Sequence, residues 1–117
     1  LKVPLDGAPS LGDDEVRAIV EVAHARERLV VTHALSDESA RRARRLGCDV
    51  LAHTPTETLT EETIEAWRDG AVLSTLVAFG NGSATRENLR RLREAGATIL
   101  YGTDLGNHRT AGLSLSE

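Results

Sequence analysis

Leu29-Val30-Val31-Thr32-His33-Ala34 is an aliphatic, β-branched run that stops on a histidine. A run of this kind reads as a buried parallel strand, because both of its faces are apolar until the polar end. The chain then turns at once into an amphipathic helix, about Ser36 to Leu46, with Gly47 as its C-terminal cap. Upstream, Val16, Ile19, Val20 and Ala23 fall on one face of a helix over 13–26, and Asp13, Asp14 and Glu15 sit at its positive end. Downstream the pattern returns as Val50-Leu51-Ala52-His53, followed by a helix begun by Thr60, with Leu59 and Ile64 spaced as a hydrophobic staple around its start.

A third unit runs from Ala71 to Thr75 through the loop Gly80-Asn81-Gly82 into a helix from about Ser83 to Ala95, with Leu89 and Leu92 on its apolar face. Gly96 follows, and then the strand Thr98-Ile99-Leu100-Tyr101. Gly47, Gly70 and Gly96 are all read as helix-ending glycines, each leading within a few residues into an aliphatic strand. Four full strands and a stub at Leu1 to Val3 make a repeating β/α array. Parallel strands joined by right-handed helical crossovers leave an open doubly wound sheet or part of a (β/α)₈ barrel.

Composition agrees with an α/β class. With one Phe, one Trp and one Tyr among 117 residues, the core has to be built from Leu, Val, Ile and Ala, as in helix-covered parallel sheets. A net charge of −4 argues against a nucleic-acid partner. The cluster Arg41, Arg42, Arg44 and Arg45 reads as the solvated outer face of a helix whose apolar positions are Ala40, Ala43 and Leu46. Cys48, the single cysteine, excludes an internal disulfide and reads as a packing residue in a cytoplasmic protein. No apolar run approaches the ~20 residues that span a bilayer, so a membrane role is not expected. The chain opens on Leu1 and contains no Met, which reads as one partial domain, 1–117, of a longer polypeptide.

Three strand ends carry ligand-type residues: His33, His53 and Asp104. In a barrel, the catalytic groups occupy the C-terminal ends of the strands. Strict alternation puts Val31 with His33, and Leu51 with His53, on faces that would point into the barrel. Imidazole and carboxylate are the usual ligands of a catalytic zinc or similar ion, and closing the sheet brings such ends around one mouth. Asp104 alone would also suit a turn, since Gly102-Thr103-Asp104-Leu105-Gly106 is good turn chemistry. His24 reads as ordinary surface, and His108 either contacts substrate or is a plain loop residue. The glycine loop before Ser83 lacks the Lys-Ser/Thr of a phosphate-binding P-loop.

The runs Leu29 to Ala34, Gly47 to Thr54 and Tyr101-Gly102-Thr103-Asp104 together resemble the fifth, sixth and eighth strands of the amidohydrolase superfamily, in its imidazolonepropionase-like and metal-dependent dipeptidase or carboxypeptidase branch. The resemblance covers essentially the whole chain and implies the C-terminal half of a barrel, about strands 4 to 8. It implies that His33 and His53 bind metal, that Asp104 binds metal and transfers protons, and that Lys2 matches a fourth-strand lysine carboxylated in some members. Zinc or another divalent ion, one or two per complete site, would then activate a water for hydrolysis of a C–N bond in a peptide, N-acyl amino acid or cyclic amide. The His-x-His pair that the superfamily carries on its first strand has no counterpart here. The alternative expectation is a non-catalytic half-barrel that self-associates as a homo-oligomer or pairs with another chain, because open sheet edges recruit partners.

Overall fold

The computed structural model describes residues 1–79 and 81–104. Strands β1 (Lys2–Pro4), β2 (Val31–His33), β3 (Val50–Leu51), β4 (Ala71–Leu73) and β5 (Thr98–Leu100) alternate with helices α1 (Asp13–His24), α2 (Asp37–Arg45), α3 (Glu61–Ala66) and α4 (Ser83–Ala95). All five strands are parallel and lie in sequence order, β1-β2-β3-β4-β5. The stub expected at Leu1 to Val3 is a full member of the sheet. A doubly wound sheet reverses its strand order at a switch point; an unbroken order with right-handed crossovers stacks every helix on one face. The architecture is therefore an arc of a β/α barrel, not an open doubly wound sheet.

Register shows which residues face the helices. Val3, Thr32, Leu51, Val72 and Ile99 lie across from one another on successive strands. Val3, Leu51 and Val72 join Val16, Val20, Ala43, Ile64, Trp67 and Leu92 in one buried cluster. The opposite face bears Lys2, Val31, Val50, Ala71 and Thr98 in one row and Pro4 and His33 in the next. This second face is the one that would line a barrel interior.

Capping chemistry fixes where the helices start. Ser36 accepts the Ser39 N–H at 3.1 Å at the head of α2, and Thr60 caps α3 by accepting from the Thr63 N–H. Leu59 and Ile64 are both buried at that start, as the staple spacing requires. Asp37 links the two helices: its carboxylate accepts the Thr60 N–H at 2.8 Å. The Thr60 and Thr63 bonds hold its pKa below the ordinary carboxylate value, against desolvation.

Two sequence expectations need correction. Gly47 and Gly96 do adopt left-handed backbones, with φ of 92° and 119°, but Gly70 does not. A Cβ at Gly70 would sit 2.5 Å from Cε3 of Trp67, so this glycine makes room for the indole instead of capping a helix. The indole is itself fully buried and donates its Nε1–H to the Ala40 carbonyl at 2.9 Å, tying α3 to α2.

The arginine cluster is likewise not simply a solvated face. Arg42 donates to Asp13 Oδ1 and to the Leu11 carbonyl, each at 2.7 Å, which joins α2 to the start of α1. Arg44 donates to the Ala66 carbonyl at 3.0 Å and lies 5.4 Å from the centre of the Trp67 ring. The guanidiniums act as clamps between neighbouring helices. His24 also has a structural partner, since its Nε2 lies 2.9 Å from Asp49 Oδ2. Cys48 is buried, as expected of a packing residue, and burial, aided by Asp49, raises its thiol to about 11. No helix among the described residues is long and apolar enough to cross a membrane.

Candidate functional site

His33 closes β2 and, by alternation, shares the interior face with Val31. The segment just past β1 holds the backbone at and after His33. The Leu5 N–H donates to the His33 carbonyl at 2.9 Å, and the Asp6 carboxylate accepts from the Leu35 N–H and, at 3.0 Å, from the Ser39 hydroxyl. The position of the second histidine departs from strict alternation. Leu51 pairs with Thr32 and faces the helices, so a continued strand would send His53 the same way. β3 instead ends at Leu51 and the chain bends at Ala52 and His53. The expectation that Leu51 and His53 share an inward face is therefore wrong for Leu51, yet the bend still brings His53 to His33.

The two imidazoles meet edge to face, with ring centres 5.0 Å apart and planes at 76°. This is the geometry of an edge-to-face ring contact, and its spacing also matches that of two imidazoles on one tetrahedral ion, whose ring centres lie about 5 Å apart. His53 is only 4 % exposed. Its Nδ1 lies 3.1 Å from the Thr75 hydroxyl, so Nδ1 is the ring nitrogen engaged by that side chain. Burial depresses the imidazole pKa to about 4, with Lys2 and His33 adding to the effect and Asp104 opposing it. A neutral imidazole near pH 7 is the form that donates a lone pair to a metal.

Lys2 and Asp104 thus both lie within electrostatic reach of His53. Lys2 stands on the His33 face of the sheet, level with Val31. Asp104 is half-buried just past β5 and adopts a left-handed backbone with φ of 53°. Among the described residues, no three His, Cys, Asp or Glu side chains converge closely enough to hold a metal ion. What the strand ends bring together is a histidine pair with a lysine and a carboxylate nearby. His108 lies outside the described residues, as does Gly80 of the glycine loop.

Sequence reasoning missed two residues, both in the unit with no ligand-type strand end. Thr75 follows β4 and carries the hydroxyl beside His53. Phe79 ends a single 3-10 turn, Val77–Phe79, with its ring 4.6 Å from the His53 ring and 6.2 Å from that of His33. Its signal was the lone phenylalanine of the chain, placed in a loop at the candidate mouth.

The depressed imidazole has a consequence for stability in metal-free protein. The unfolded chain binds a proton at His53 near pH ~6.5, whereas the folded protein resists it down to about pH 4. This contribution is fully present above the unfolded value and is lost as pH falls. From pH 7 to pH 4, chelator-treated wild type should lose about 3 kcal/mol more stability than His53→Gln, by urea unfolding. Parallel pH profiles of the two proteins would refute the depressed value.

No family model matches this sequence, and no curated protein matches it. Solved structures do. A prolidase complexed with N-methylphosphonate-L-proline superposes with a TM-score of 0.69 at 25% identity, covering 86% of this chain and 30% of that one. An amidohydrolase gives a TM-score of 0.72 at 23% identity, over 93% of this chain and 34% of that one. The ochratoxinase of A. niger gives 0.69 at 21% identity, over 92% of this chain and 31% of that one. The five-stranded parallel array therefore has the fold of about a third of an amidohydrolase- or prolidase-type structure.

Proposed function

We propose that this chain forms part of a metal-dependent hydrolase that cleaves a C–N bond, amide, peptide or cyclic amide, in the complete protein. The observation that carries the reading is the buried, neutral His53 held at 5.0 Å from His33 at adjacent strand ends. Its support from outside the chain is the likeness to structures described as a prolidase, an amidohydrolase and an ochratoxinase. His33 and His53 would hold the ion, with Lys2, if carboxylated, and Asp104 just past β5 completing this side of the shell. Zinc or another divalent metal supplies Lewis acidity, which acidifies water and polarises a carbonyl. Asp104 accepts the proton of the attacking water and delivers it to the leaving nitrogen. Phe79, its ring beside both imidazoles, would exclude bulk water from that side of the pair. The substrate is a small peptide, N-acyl amino acid or cyclic amide, and His108 is proposed to contact it.

The test is metal removal and return in the complete protein. Chelation should abolish hydrolysis of an Xaa-Pro dipeptide and of N-acyl amino acids, and zinc should restore whichever activity is present. His33→Ala and His53→Ala should each weaken zinc binding by roughly a hundredfold or more in calorimetric titration. Zinc affinity that both variants leave unchanged would end this reading.

A further inference from the structure

We propose that Thr75 is a positioning residue for His53, accepting a hydrogen bond from Nδ1–H so that the Nε2 lone pair stays free for a metal. This inference rests on the metal-site reading above. Three observations converge on it. The hydroxyl is 3.1 Å from Nδ1 in a buried setting, where Thr75 is 3 % and His53 4 % exposed. Thr75 also holds φ at 41°, a left-handed conformation that a β-branched residue adopts only at a cost. Finally, the backbone around it is pinned from both neighbouring strands.

On the β5 side, the Thr75 N–H donates to the Gly102 carbonyl at 3.1 Å and the Ser74 N–H to the Leu100 carbonyl at 2.9 Å. On the β3 side, the Thr54 hydroxyl donates to the Ser74 carbonyl at 2.8 Å. Gly102 leaves the space, since a Cβ there would come within 3.2 Å of Thr75 Cγ2. A strained residue persists when its surroundings over-determine it, and such residues cluster at functional sites. Here the strain turns the hydroxyl of a strand that bears no ligand toward the ring of a strand that bears one. A histidine that binds metal through one nitrogen commonly donates its other N–H to an oxygen, which fixes tautomer and ring orientation.

Thr75→Val is the informative variant, because valine keeps the β-branch and the backbone strain while removing the hydroxyl. Thr75→Ser restores the hydroxyl and guards against a general folding defect. In the metal-free complete protein, ¹⁵N NMR of the histidine rings should find His53 as the Nδ1–H tautomer in wild type and Thr75→Ser, and not in Thr75→Val. Zinc affinity should fall roughly 10–100-fold in Thr75→Val and recover in Thr75→Ser. A wild-type Nε2–H tautomer, or a Thr75→Val protein with unchanged tautomer and affinity, would overturn the proposal. The tautomer needs no metal to be read. A tautomer switch in Thr75→Val without zinc binding by wild type would therefore support the Thr75 contact while overturning the metal reading.

Discussion

Asp104→Asn should lower turnover of the complete protein by roughly 10²–10⁴-fold, the range for losing a positioned acid-base group. Asp104 is also proposed as a metal ligand, so turnover is compared at saturating zinc, where a weakened ligand bond is offset by mass action. Asp104 sits at φ 53°, and asparagine tolerates the left-handed region as well as aspartate does, so the backbone has no reason to move. The amide is the same size but takes no proton near neutral pH. The loss should therefore appear in kcat, with KM changed much less. A second readout follows from the placement of the carboxylate: Asp104 favours the charged form of His53, so its removal should depress the metal-free imidazole further. Turnover within about threefold of wild type would remove Asp104 from the proton-transfer role, whatever the fate of the histidine pair.

The barrel arc was legible because short, mostly aliphatic strands alternate with amphipathic helices along the chain, a grammar that survives errors at every boundary. The ligand-type residues at strand ends were legible for the same reason. What sequence could not carry was the local backbone. Alternation misassigned the face of Leu51, because β3 has only two residues and bends before His53. Gly70 looked like Gly47 and Gly96, but its role depends on Trp67 folding back upon it, a contact between side chain and backbone with no periodic signature. The arginines of α2 read as a solvated stripe because their partners, Asp13 and the Leu11 and Ala66 carbonyls, belong to the flanking helical segments. Thr75 was silent because nothing in a strand-end threonine announces a positive φ.

Asn88→Ala should cost about 3–5 kcal/mol, a large share of a domain's stability, although the hydrogen bonds of Asn88 go to Pro55, Glu57 and Leu59 and not to a candidate site residue. Asn88 lies on α4, is fully buried, and satisfies three backbone groups of the loop after β3. Its Oδ1 accepts the Leu59 N–H at 3.0 Å, while Nδ2 donates to the Pro55 carbonyl at 3.0 Å and to the Glu57 carbonyl at 2.7 Å. Truncation leaves all three without a side-chain partner, and each buried group so stranded costs about 1–3 kcal/mol unless water reaches it. The effect should extend to the histidines. His53 lies in that same loop, two residues before Pro55, and the Glu57 carboxylate in turn accepts the Asp37 N–H at the head of α2 at 3.0 Å. Loosening it should raise hydrogen exchange at residues 56, 57 and 59 as well as lowering the urea midpoint. Asn88→Asp separates the parts of the network: it keeps an acceptor for Leu59 but turns a carboxylate toward two carbonyls, so it should be destabilised as well. If Asn88→Ala instead unfolds within 1 kcal/mol of wild type, the loop does not depend on this amide, and the bend that delivers His53 is held by its other bonds, such as those from the Ala52 N–H to the Thr32 carbonyl and from Thr54 to Ser74.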